Sequence, residues 1–227
     1  MRASLGPVVL AAAVLLLLPA CGGDGDEGGE PEPSPAPATT TAAESGDQEV
    51  YEVESAGFAI AVPESWNAAS VDDFRESGAL EQAAEENPDL APMLEALARP
   101  DSIMKFIAGD PELRKDFATN VNVIREELPA GMDQEGDEAA NLANIGQALR
   151  VEGDIEEERV DVEAGEALRI AYEHGITQGG EERRFAVVQY IVAREGEGYV
   201  ITYTTVPDAL AGYEPQFDES ARSFRFL

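Results

Sequence analysis

The sequence predicts an α+β fold in which helices pack on an antiparallel sheet. Three observations predict it. Phe58, Ile60 and Val62 alternate with Ala59 and Ala61 ahead of Pro63, as a half-buried strand requires. Leu90, Met93, Leu94 and Leu97 fall at i, i+3, i+4 and i+7, the stripe of an amphipathic helix. From Gly153 onward strand patterns succeed one another, with Gly-bearing turns between them and one closing helix.

Each element has its own signal. Residues 50–53 and 57–62 form a strand pair, which Pro63 ends and Trp66 follows. Ser70 caps a helix, with Asp73 three residues on and Val71 and Phe74 on one face. Gly78 interrupts it, and Leu80 and Ala83 belong to a second helical stretch. Asn87-Pro88 starts a third, since proline is tolerated in a first turn. Residues 103–108 read as a short strand, 111–117 as a turn or short helix, and 119–126 as a strand with Val121 and Val123 on one face. Gly131 and the acidic residues to Asp137 make a connection to a helix over 138–151, with Leu142, Ile145 and Leu149 on one side. Residues 155–162 and 166–173 flank a turn at Ala164-Gly165, and 175–182 read as a polar loop. Residues 184–194 are apolar on both faces, which predicts a central strand covered on both sides. The turn Glu195-Gly196-Glu197-Gly198 leads to its hairpin partner at 199–206. Tyr213, Phe217 and Ala221 mark the inner face of the last helix, and Pro207 and Pro215 limit how early it begins.

The N-terminus carries an address. Arg2 precedes an apolar run over residues 5–20, a secretory signal pattern. That run is short of the roughly 20 apolar residues a membrane-spanning helix needs. Leu18-Pro19-Ala20-Cys21 resembles the lipobox of bacterial lipoproteins. The resemblance implies removal of residues 1–20 and a diacylglycerol on the Cys21 thiol. The plainer alternative is a free thiol in an ordinary signal anchor. As the single cysteine of the chain, Cys21 has no intramolecular disulfide partner. Residues 21–48 run through Gly, Asp and Glu into Pro31, Pro33, Pro35 and Pro37 without apolar periodicity, so they read as an acidic, proline-rich tether. Such a tether spans on the order of 30 Å. A calcium loop starting at Asp24 fails, because its closing Glu would fall near Pro35. Residues 49–227 form one globular domain.

Charge and inventory exclude several activities. The chain has 15 Lys and Arg against 46 Asp and Glu, a net charge of −31. Nucleic-acid binding needs clustered cations and is not expected. Adhesion to anionic lipid is disfavoured for the same reason, so membrane contact would come through the lipid on Cys21. The acidity is either a solvated surface, its commoner use, or a site for cations or a basic partner. His174 is the single histidine, which excludes a histidine-rich metal site. It reads as an exposed loop residue or, less commonly, as an acid–base group. Neither a Gly-x-Ser-x-Gly elbow nor a phosphate-cradling loop occurs, carboxylate pairs are too many to single one out, and no cofactor or metal is expected.

Both ends of the domain resemble the PsbP-like superfamily, which includes the DcrB and LpqN kinds of bacterial lipoprotein. The residues that carry the resemblance are Gly57-Phe58-Ala59-Ile60-Ala61-Val62-Pro63-Glu64-Ser65-Trp66, then Tyr199-Val200-Ile201-Thr202-Tyr203-Thr204-Thr205 and Ser223-Phe224-Arg225-Phe226. The resemblance implies an antiparallel sheet of about six strands packed between helices, an α/β/α sandwich, in which the last of these segments ends the final helix. It supplies no shared catalytic residues. The expected role is that of a non-catalytic, lipid-anchored binding or scaffolding protein outside the cell membrane, with a protein partner or a small ligand. Two alternatives are a carrier of a small apolar ligand or lipid and a cell-envelope hydrolase. Trp66, Leu90, Met93, Leu94 and Leu97 are the candidate binding residues. Each also has an ordinary use as core.

Overall fold

The strands in chain order are β1 (Gln48–Val53), β2 (Phe58–Pro63), β3 (Asn67–Ser70), β4 (Met104–Arg114), β5 (Phe117–Glu127), β6 (Val151–Val162), β7 (Gly165–Gln178), β8 (Glu181–Arg194), β9 (Glu197–Thr205) and β10 (Arg225–Phe226). The helices are α1 (Val71–Glu76), α2 (Ala79–Glu86), α3 (Ala91–Leu97), α4 (Gln134–Ala148) and α5 (Leu210–Arg222). This computed structural model describes residues 47–227 except 87–90, 100, 116, 149–150 and 179–180. The apolar run, Cys21, the tether to residue 46 and Leu90 lie outside the described residues.

The α+β class holds. Among the described residues, the strands make a seven-stranded antiparallel sheet, β3-β4-β5-β9-β8-β7-β6, and a three-stranded one, β1-β2-β10. Six strands between helices was the expectation. One cover is instead shared between the small sheet and α5. Phe58, Ile60 and Val62 of β2 and Tyr213, Phe217 and Ala221 of α5 pack onto Phe106, Val121, Val123, Val188, Tyr190, Ile201 and Tyr203 of the large sheet. On the opposite face, Ile145 and Leu142 of α4 cover Leu168, Ile170, Tyr172, Val187, Ile191 and Val200. Ile124 of that face lies opposite Met104, which packs with Val71, Leu80, Leu94 and Leu97 of α1–α3.

A bulge sets which cover each end of β4 meets. Met104 pairs Ile124 and Phe106 pairs Val123, so two steps on β4 answer one on β5. Residues two apart would otherwise share a face. The extra residue sends Met104 to the helices and Phe106 to the small sheet.

Four local expectations are corrected. Residues 111–114 and 117 are strand rather than turn or helix, because β4 runs through Pro111 to Arg114 and β5 starts at Phe117, with a turn at Lys115 (φ 51). Pro111 falls in a register shift between Gly109 and Leu113, where a missing ladder N–H is tolerated. Residues 175–178 and 181–182 are strand rather than loop, since β7 and β8 stay paired from Leu168 opposite Ile191 to Gln178 opposite Glu181. Asn67–Ser70, where no strand was expected ahead of the Ser70 helix, forms a strand on the edge of β4. Arg225–Phe226 does not end a helix but pairs with Ala59 and Phe58 of β2. The Ser70 cap is as expected: its side chain accepts from the Asp73 N–H at 3.0 Å. In α5, Pro215 sits inside the helix, after a 3-10 turn over Pro207–Ala209.

Candidate functional site

The three middle strands of the large sheet, β5, β9 and β8, carry polar side chains where a core is ordinarily apolar. Register places them in two adjacent cross-strand rows on the face that also meets α4. One row runs Ile170, Gln189, Thr202, Asn122, and the next runs Tyr172, Val187, Thr204, Asn120. Every one of these five amides and hydroxyls is at most 5% exposed. Period-two alternation explains how this coexists with a core. Val121 and Val123 of β5 and Val188 and Tyr190 of β8 point to the small-sheet side, and the intervening Asn and Gln residues point the other way.

The hydrogen bonds inside this floor are few. Gln189 Nε2 donates to Thr202 Oγ1 at 3.0 Å, and Asn120 Nδ2 donates to the Ala118 carbonyl at 2.9 Å. Gln189 Oε1 is buried and has no hydrogen-bond partner among the described residues. His174 lies one row beyond Tyr172 on β7, and neither of its ring nitrogens has a hydrogen-bond partner among the described residues. Its ring stands 6.1 Å from that of Tyr172 and 5.9 Å from that of Phe185. Burial alone pushes the His174 pKa down, so the imidazole is neutral at pH 7, and burial alone pushes the Tyr172 phenol up. His174 was expected to be an exposed loop residue; the continued pairing of β7 with β8 encloses it instead. The floor is thus uncharged, with an aromatic wall of Tyr172, His174 and Phe185 along one side.

A second group sits at the start of α4. Asp137 is buried against Gly198 of β9, accepts from Asn141 Nδ2 at 3.0 Å through Oδ1, and leaves Oδ2 unpartnered. Burial, then the charges of Glu126 and Glu138, push its pKa up to about 6. Glu138 is held by a two-pronged pairing with Arg159 of β6, at 2.5 and 2.6 Å. No group of three or more His, Cys, Asp or Glu side chains among the described residues could hold a metal ion.

The sequence-derived candidates are dispersed. Trp66 is buried and packs on Tyr213 and Phe217 with ring centroids 6.4 and 6.5 Å away, on the small-sheet side. Leu94 and Leu97 are buried with Val71, Leu80 and Met104. Leu90 and the Met93 side chain lie outside what is described. Sequence reasoning missed Asn120, Asn122, Gln189, Thr202 and Thr204. One signal was available: Gln189 is a lone amide in a strand apolar on both faces.

No protein-family model and no curated protein sequence matches the chain. Its backbone is similar to those of several solved structures, among them the following three. The cyanobacterial PsbP (CyanoP) of Synechocystis sp. PCC 6803 is 14% identical, with a TM-score of 0.47 over 84% of this chain and 98% of that one. LpqN of Mycobacterium tuberculosis, a protein involved in cell envelope biogenesis, is 8% identical, with a TM-score of 0.47 over 81% and 86%. The Ran-binding protein Mog1p of Saccharomyces cerevisiae is 9% identical, with a TM-score of 0.44 over 80% and 96%. The first two are of the kinds that the ends of the sequence resemble. At such identities and TM-scores the likeness is one of backbone course and assigns neither family nor activity.

Proposed function

We propose that the chain is a non-catalytic binding module of the bacterial cell envelope, held outside the cell membrane by lipid on Cys21. The observation that supports binding is the uncharged hydrogen-bonding floor on β5, β9 and β8, with Gln189 Oε1 and both His174 nitrogens unpartnered. A buried polar group without a partner costs about 1–3 kcal/mol. A ligand is a partner that turns this cost into affinity. Amides and hydroxyls in this arrangement hold and orient a molecule; they do not make an activated nucleophile with its base.

Support for the anchor is in the sequence, where Leu18-Pro19-Ala20-Cys21 ends an apolar run and the acidic, proline-rich tether follows. With a net charge of −31 the chain has no electrostatic attraction to anionic lipid, so attached acyl chains would supply the hold. Mass spectrometry of the chain recovered from membranes tests this. The expected mature N-terminus is Cys21 bearing a diacylglyceryl group, and Cys21→Ala is expected to remain uncleaved. An unmodified Cys21, or a mature N-terminus elsewhere, contradicts the anchor.

A further inference from the structure

We infer that a cavity at one end of the large sheet, built around Arg183, receives a small monoanion: a carboxylate on a compact apolar body. The inference goes beyond the binding-module reading and does not rest on the buried polar rows. The cavity, of about 270 Å³, lies where the β4–β5 turn, the first residues of β8 and the 3-10 turn after β9 meet. Its apolar wall is Phe117, Phe185 and Val206, buried as one cluster, with the Phe117 and Phe185 ring centroids 4.8 Å apart. Lys115, Arg184 and Asp208 at its rim are exposed, so a solute reaches it from solvent. A benzene ring fits a cavity of about 150 Å³, which leaves room here for a ring and one carboxylate.

Charge selects the ligand. The described lining holds three cations, Lys115, Arg183 and Arg184, and two acids, Glu182 and Asp208, in a chain of net charge −31. The groove between α4 and β6 is lined the other way, with Glu135, Glu138, Glu157 and Glu158 around Arg159. Two of the three cations are engaged: Lys115 pairs with Asp208, and Arg184 lies 3.5 Å from Glu152 and 3.9 Å from Glu173. Arg183 is half-buried and has no hydrogen bond or ion pair to a described residue. Two residues along β8 from Phe185, it shares that side chain's face of the strand, so the free guanidinium stands at the phenyl wall. An arginine fork takes a carboxylate through two parallel hydrogen bonds. One free cation suits one negative charge, and a dianion would bring a second charge without a partner. The acidity of the rest of the chain is screened beyond about 8–10 Å at physiological salt, so the near charges decide.

The test is a nuclear magnetic resonance titration of the full chain in mild detergent, reading the Arg183 Nε–H and the Phe117 and Phe185 rings. The probes are benzoate, benzyl alcohol and benzylammonium, one body with a negative, a neutral and a positive head. Benzoate is expected to move all three signals saturably at millimolar concentration, and the other two probes to bind at least tenfold more weakly. Read from the phenyl signals, Arg183→Met is expected to weaken benzoate binding about tenfold, the loss of one charge-assisted pair. Arg183→Lys, which keeps the charge and loses the fork, is expected to fall between the two. Arg222→Met, at a cation that lines a different cavity, is expected to leave benzoate binding unchanged. Benzyl alcohol or benzylammonium binding as well as benzoate, full benzoate binding to Arg183→Met, or no movement with any probe would each overturn the inference. None of these results touches the polar rows, whose reading fails separately, on the absence of a bound mass that depends on Gln189.

Discussion

The Tyr203 hydroxyl donates to Ser220 Oγ at 2.9 Å, and Ser220 Oγ donates in turn to the carbonyl of Ala61 at 2.5 Å. One serine thus joins the middle of the large sheet, helix α5 and strand β2. The reason lies in the length of β10. It pairs only Phe58 and Ala59, so Ala61 has no strand on that side. Ser220 takes its carbonyl, and Ser223 Oγ accepts its N–H at 2.7 Å. Two helix side chains continue a ladder that the backbone leaves off.

Ser220→Ala is expected to lower unfolding stability by about 1–3 kcal/mol, because it strands a buried phenol and a buried carbonyl. Tyr203→Phe combined with Ser220→Ala is expected to cost less than the two separate losses summed. Urea denaturation of the four proteins of this cycle measures it.

Asp137 makes stability fall as pH rises. Its folded pKa, about 6, lies above the ordinary 3.8, so the native state holds the proton more tightly than the unfolded chain. The contribution is full below the ordinary value and is lost as pH climbs through about 6. Asp137→Asn is expected to flatten that slope and to raise stability at pH 7 by on the order of 1–3 kcal/mol. Denaturation midpoints taken across this range are the check.

His174 acts in the opposite sense. Burial lowers its pKa, so the unfolded chain binds the proton more readily, and stability is lost as pH falls below the ordinary 6.5. His174→Phe is expected to remove this acid sensitivity and leave the opposite pH dependence of Asp137. Because His174 is the single histidine, one imidazole signal followed against pH reports it without ambiguity.

Gly198 is a contact position. A Cβ there would lie 2.6 Å from Asp137 Oδ2 and 3.0 Å from Leu128 Cδ2. Gly198→Ala is therefore expected to cost about 1–3 kcal/mol by forcing a buried neighbour aside. Adding Asp137→Ala is expected to recover part of the loss. Thermal unfolding of the single and double variants distinguishes this from a backbone effect.

Periodicity made much of the fold legible. Phe58, Ile60 and Val62 reach the core, residues 184–194 lie within a strand buried on both faces, and Tyr213, Phe217 and Ala221 face inward. Pairing hid the rest. Gly175, Thr177 and Gln178 look like a loop, yet β7 continues through them because β8 offers a matching backbone edge. The bulge between Met104 and Phe106 has no residue signature, although it decides which cover each meets. The site was hidden by its own chemistry. Asn120 and Asn122 alternate with valines, which reads as a solvated face, and only the central place of β5 makes that face interior.

Native mass spectrometry of the chain released from its own membranes tests the account most directly. The account predicts a noncovalently bound molecule on the wild-type chain and its loss from Gln189→Leu. A wild-type chain without any bound mass, or a bound mass that Gln189→Leu retains, would contradict it.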